Sequence, residues 1–296
     1  MARRHRRRTS GSAAVAVGAV VLVVGGAVVW WRAGGSPPAE TGCRLPAVGA
    51  PTAAAAPDAP DGGAVRVAER GFTQESRDLD GEPDGRADRI SMGAVVENTS
   101  TRVAYRTRVT FAVTAADGDP AADTRQRSWL VQEVPIILPG QRTAVGVAVL
   151  PTRDGDGAAT RAATMTVALA VTQWLPADGF ATVTAAAVPG AATRDDHGTG
   201  TVDYDATSAW CAPLKPRGTA LVFRDRAGEL VGGDLVLDGS AQQCAPGVTR
   251  QRAATNPQAV PSTADIDRTE VTEHCDLAPA TGLIPGSVVP SGVPIN

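Results

Sequence analysis

Apolar residues that recur at every second position constrain this chain more than any other feature. Ile90, Met92, Ala94 and Val96 alternate with residues such as Ser91, Gly93 and Glu97. Val103, Tyr105, Val109, Phe111 and Val113 share one parity, and Arg102, Arg106 and Arg108 take the other. Val145, Val147 and Val149 repeat the alternation, as do Met165, Val167, Leu169 and Val171. Successive side chains of a strand point to opposite faces, so a period of two with β-branched residues marks half-buried strands. Asp117-Gly118 and Pro139-Gly140 read as turns. Beyond residue 31 no stretch carries a helical stripe, and the expected fold class is all-β.

The pattern also repeats. Thr110-Phe111-Ala112-Val113 before Asp117-Gly118 corresponds to Leu221-Val222-Phe223-Arg224 before Ala227-Gly228. Leu138-Pro139-Gly140-Gln141-Arg142 corresponds to Ala245-Pro246-Gly247-Val248-Thr249, and Val171-Thr172-Gln173 to Val271-Thr272-Glu273. The order is kept while the offset drifts, as loop insertions make it do. Two units of this size suit two tandem β-sandwich domains, over residues 66–176 and 198–278, with an inter-domain linker over 177–197.

The first thirty-two residues carry a different signal. Arg3, Arg4, Arg6, Arg7 and Arg8 form a cationic cluster, and an uncharged, mostly apolar run from Ala13 to Trp31 follows. A helix of that length rises about 28 Å, close to the ~30 Å hydrocarbon core of a bilayer. Trp30 and Trp31 suit the membrane–water interface, and basic residues before a span hold that end in the cytoplasm. The expectation is one transmembrane helix over 13–31, a cytoplasmic segment over 1–12, and everything beyond on the outer side. Ala33 and Gly35 also satisfy a small-x-small cleavage rule, so secretion after a cut before Ser36 is the alternative. Residues 32–65 read as an Ala/Pro/Gly-rich linker, and 279–296, with four prolines, as a disordered tail.

Six of the 28 basic residues lie in those first 32 positions, leaving 22 basic against 31 acidic residues for the remainder, a net of −9. That balance excludes a general nucleic-acid partner. Lys215 is the only lysine while Arg, Ala and Gly abound, which reads as the codon bias of a high-GC bacterium. Cys43, Cys211, Cys244 and Cys275 all lie on the expected outer side, where disulfides are permitted, and none has C-x-x-C spacing. An up-and-down path through the second unit brings Cys211, Cys244 and Cys275 to one end. A bridge within that unit is expected, with Cys43 taking the remaining cysteine; sequence leaves the connectivity open.

Asn98-Thr99-Ser100, an alternating strand ending near Asp117-Gly118, and Pro139-Gly140 together resemble the FxLYD domains, small immunoglobulin-like sandwiches of bacterial extracytoplasmic proteins. Leu221-Val222-Phe223-Arg224-Asp225-Arg226-Ala227-Gly228 matches the middle element better, whereas Ala206-Thr207-Ser208 replaces the Asn turn. The resemblance implies a pair of immunoglobulin-like binding or spacing modules and supplies no catalytic residue.

Other constellations have simpler readings. Asp80, Glu82, Asp84, Gly85 and Asp88 imitate the start of a calcium loop, but Ser91 stands where the bidentate Glu belongs, so a solvated acidic loop is expected. Asp195, Asp196 and His197 sit among glycines and read as a polar hinge. His274 beside Cys275 would need a free thiol to act as a base. Asn98 is formally a glycosylation acceptor, and the turn reading is preferred. No G-x-S-x-G, H-E-x-x-H or P-loop motif occurs. No catalytic, metal or cofactor site is therefore expected. The leading expectation is a membrane-anchored, non-enzymatic binding or scaffold protein of the cell envelope, with a protein or glycan partner. A secreted enzyme with an unrecognised site and an accessory or sensor subunit acting through its membrane helix are the alternatives.

Overall fold

A computed structural model describes residues 42–49, 58–78, 86–237 and 243–277. The basic cluster, the apolar run with Trp30 and Trp31, the acids Asp80, Glu82 and Asp84, and the tail lie outside the described residues. Among the described residues no helix is long and apolar enough to cross a membrane. Arg44–Asn296 forms one compact unit.

That unit is all-β. Six strands make its first half: β1 (Val65–Asp78), β2 (Arg86–Asn98), β3 (Val103–Thr114), β4 (Val131–Ile137), β5 (Arg142–Val149) and β6 (Thr164–Leu175). Seven make the second: β7 (Val183–Ala187), β8 (Thr193–Arg194), β9 (Gly200–Ser208), β10 (Lys215–Arg224), β11 (Leu230–Val236), β12 (Gly247–Ala254) and β13 (Asp265–Asp276). All ladders are antiparallel. The first half has sheets β1-β2-β5 and β4-β3-β6; the second has β7-β9-β12, with β8 on β9, and β11-β10-β13. The two strand orders are the same once β7, β9, β10, β11, β12 and β13 are matched to β1 through β6. The repeat read from the turns is thus a repeat of topology. Gly118 (φ 93°) and Gly228 (φ 91°) hold equivalent left-handed turn positions after β3 and β10. The stretch expected as an inter-domain linker carries β7 and β8, the first strands of the second half.

Each pair of sheets encloses a core. Ile90, Met92, Ala94 and Val96 of β2 meet Val109, Phe111 and Val113 of β3, Val134 and Ile137 of β4 and Val145, Val147 and Val149 of β5. Val202, Tyr204, Leu221, Phe223, Val260 and Val271 fill the second. One expected parity fails. Ala104, rather than Val103 or Tyr105, joins the first core. Arg106 has φ 54°, a left-handed conformation rare for a residue with a side chain, and it switches the facing of β3 at that point. Tyr105 is consequently buried on the opposite side of the sheet.

The halves are packed sheet against sheet, β1-β2-β5 on β11-β10-β13, at a separation only glycine permits. Gly71, Gly93 and Gly146 are cross-strand partners and form a row across the first sheet. Gly232 and Gly233 of β11 lie over it. A Cβ on Gly233 would stand 2.8 Å from the Gly146 Cα and from the Met92 and Leu221 carbonyl oxygens. One on Gly93 would collide with the Gly232 carbonyl, and one on Gly146 with the backbone of Asp234 and Leu221. Ser91 Oγ accepts from Gly233 N (3.0 Å) and donates to its carbonyl (3.2 Å). Thr73 donates to the Val231 carbonyl at 2.7 Å. Val95, Ala144, Val222 and Leu230 make a small apolar cluster within this contact.

The free edge of β5 is closed by side chains. The Ala144 amide donates to Thr272 Oγ1 (3.1 Å) and its carbonyl meets His274 Nε2 (3.1 Å). The Gly146 carbonyl accepts from Gln132 Nε2, and the Leu150 amide donates to Gln126 Oε1 (2.6 Å). Unpaired backbone groups along an edge invite another strand, and these caps block that template.

Candidate functional site

The chemistry-bearing side chains converge where the two halves meet. Asp276, at the end of β13, is fully buried. Its carboxylate accepts from Tyr105 OH at 2.8 Å, Arg106 Nη2 at 3.1 Å and Arg217 Nη2 at 2.7 Å. Glu133 of β4 approaches the same guanidinium groups, 3.8 Å from Arg106 Nε and 3.5 Å from Arg217 Nη2. Four strands from both halves thus hold one cluster of two arginines, two carboxylates and a phenol. Burial, then the Asp276 charge, pushes the Tyr105 hydroxyl up to about 12, so it stays a donor. Burial also raises the Glu133 carboxyl, with the arginines opposing. The left-handed Arg106 aims its guanidinium out of the first half and onto Asp276, which accounts for a backbone conformation that costs about 1–3 kcal/mol.

Beside this cluster lies the cysteine end of the second half. Cys244 and Cys275 are bridged, with Cα atoms 5.8 Å apart. That is the bridge within the second unit that the strand path leads one to expect. Cys43 and Cys211 are disulfide-bonded as well, and no described cysteine is free. Trp210 and Leu214 bury the Cys244–Cys275 bridge, and Leu45, Ile136, Phe180 and Leu277 pack around them. Phe180 meets Trp210 edge-on with ring centroids 5.9 Å apart. Leu45 comes from the stretch expected to be stalk. That stretch therefore lies against the junction at residues 44–46, where Pro46 also approaches Gly179.

Glu273 is buried behind the bridge. It accepts from Tyr204 OH at 3.1 Å, and the Cys244 amide lies 3.4 Å from its other oxygen. Burial raises the carboxyls of Glu273 and Asp234 and lowers His274 to about 4. Cys244, Glu273 and Cys275 are close enough to share a metal ion. Their sulfurs are joined to each other, though, and a metal needs thiolates. The bridge also removes the nucleophile that a Cys275–His274 pair would need.

The remaining residues singled out from the sequence have structural partners. Asn98 is fully buried and donates to the Arg102 and Ile137 carbonyls, while its Oδ1 accepts from Ser100 N. It is a turn residue, closed to a glycosylating enzyme. Asp195 accepts from the amides of His197 and Thr199 in a tight turn on β8, not in a hinge. Asp88 accepts from Ser76 and from Arg153 at 2.8 Å, the arrangement of a paired carboxylate.

The arrangement can hold two sheets together, and its groups are satisfied by one another. Sequence reading missed Asp276, Glu133, Arg217 and the role of His274. The sequence of β13, DIDRTEVTEHCD, is polar along most of its length, so Glu273, His274 and Asp276 do not stand out in it although the last four residues are buried. Losing the Cys244–Cys275 bridge should remove about 3–4 kcal/mol, because its closing loop spans 31 residues. A C244S/C275S variant compared with the oxidised protein by urea titration measures this. A loss under 1 kcal/mol would show that Trp210 and Leu214 hold that end unaided. No family model, no curated protein and no solved structure matches the chain.

Proposed function

We propose that this chain is a membrane-anchored extracytoplasmic binding or scaffold protein of a bacterial envelope, without catalytic activity of its own. The observation that carries the reading is the state of the cysteines. All four are in disulfide bonds, which persist in oxidising compartments, and all follow the span-length apolar run and its arginine cluster. The pocket at the junction has room for one water, about 20 Å³, and in the open cleft formed by Glu75, Arg77, Arg194, Asp195, Asp196 and Ser262, Glu75 pairs with Arg77 and accepts from Ser262, Arg194 donates to the Pro261 and Ser262 carbonyls and Asp195 accepts backbone amides. The strand orders 1-2-5 and 4-3-6 correspond to A-B-E and C′-C-F of an immunoglobulin sandwich, which supports reading the two halves as tandem immunoglobulin-like modules. Such modules display loops and strand faces to a protein or glycan rather than enclose a substrate.

The test is topology. Alkaline phosphatase fused to the C-terminus of the full chain should be active in intact cells and remain with the membrane fraction. An inactive fusion contradicts the placement. An active one released into the medium with a mature N-terminus at Ser36 replaces the anchor with a cleaved signal.

A further inference from the structure

His274 is buried (3% exposed) on β13, and among the described residues its ring has one hydrogen-bond partner, the Ala144 carbonyl on the edge of β5. A carbonyl accepts, so Nε2 carries the proton and Nδ1 is the atom left to titrate. The ring lines the pocket of about 20 Å³ together with Ile136, Thr143, Trp210, Leu214 and Glu273. Thr143 Oγ1 is buried there without a partner. The pocket is therefore polar on one side, dry-walled on the other, and large enough for a single water.

We propose that the contact between β5 and β13 is an acid-labile latch: protonating His274 puts an unpaired charge inside the seam, and the two halves loosen to let water reach it. The carboxylates around it are engaged with other partners. On β13, Glu273 turns to Tyr204 and Asp276 is held by Tyr105, Arg106 and Arg217. On β4, Glu133 faces the two arginines. Arg142 of β5 pairs with Glu69, and on β10 Lys215 is exposed and Arg217 is engaged. β7 carries no ionisable side chain. None of these groups is paired with the ring.

Burial lowers His274 from 6.5 to about 4 in the folded chain. Its contribution is therefore whole above pH 6.5 and is lost as pH falls toward 4. A shift of that size amounts to about 300-fold in the opening equilibrium when complete, and about 30-fold by pH 5. Glu133 and Glu273, raised by burial, act in the opposite direction, so the overall acid response does not isolate the histidine.

Hydrogen exchange followed strand by strand in the full chain isolates it, at about pH 7.5 and 5 and corrected for intrinsic exchange. The opening constant for amides of β5 and the end of β13 should rise about 30-fold more in the wild type than in H274Q, where the carboxylates respond alike. H274Q keeps a donor for Ala144 and cannot be charged. Equal changes in the two proteins would overturn the latch. Should H274Q fail to fold, the ring resonances of the wild type decide. Protonation of His274 should coincide with loss of β5 protection. Protonation near its ordinary value with β5 still protected would overturn the proposal.

Discussion

Valine at Gly93 or Gly146 should destabilise the protein by about 4 kcal/mol or more. Neither glycine has a left-handed backbone, so the cost comes wholly from contact. The atoms in the way are the Gly232 carbonyl, the Leu221 carbonyl and the Asp234 backbone, none of which can turn aside as a flexible side chain would. Relief requires the two sheets to separate, which exposes Val95, Ala144, Val222 and Leu230 and breaks the Ser91–Gly233 and Thr73–Val231 hydrogen bonds. Alanine should already cost about 2 kcal/mol, because even one methyl exceeds the space. Gly155 provides the control. It has open space and an ordinary backbone, so G155A should stay within about 0.5 kcal/mol of the parent. Urea denaturation of these variants gives the ordering, and a G93V protein as stable as G155A would show that the sheets can move apart at no cost.

Removing the Asp276 carboxylate should cost about 3–5 kcal/mol, since it leaves Arg106 and Arg217 buried with Glu133 as the carboxylate remaining in the cluster. D276N keeps the size of the side chain and tests the charge alone. The arginines then demand a charged Glu133, whose carboxyl burial raises. D276N should therefore gain less stability than the parent as pH falls through the range in which Glu133 takes up its proton. A double-mutant cycle with R217M should return a coupling of about 1–3 kcal/mol. Additive effects would mean that Asp276 is satisfied by Tyr105 and Arg106 without Arg217.

Strands, turns and the internal repeat were legible because they are local. The alternation in β2, β5 and β6 is a two-residue signal, and the turn glycines after β3 and β10 occupy equivalent positions. β7 was hidden, since Val183-Thr184-Ala185-Ala186-Ala187 has too little contrast between its faces to stand out from a linker. Tyr105 was assigned to the wrong face because one left-handed residue reverses the parity of a strand, and nothing in the letter R at position 106 announces it. The junction was the least legible part. Gly71, Gly93 and Gly146 are far apart in sequence, and each alone reads as a weak point in a strand. Only the pairing register makes them a row. An isolated glycine inside a strand does signal a close backbone approach, and that signal was present at Gly93. The buried charges needed two distant halves to meet before their partners could be named.

The two halves, similar in topology, should behave as one cooperative body joined through a glycine row and a buried ion cluster. Hydrogen exchange read along the full chain at increasing urea tests it most directly. β2 at the centre of the first half and β9 at the centre of the second should lose protection at the same denaturant concentration, and G93V should lower both midpoints together. A range of urea in which one half remains protected while the other exchanges freely would contradict the account.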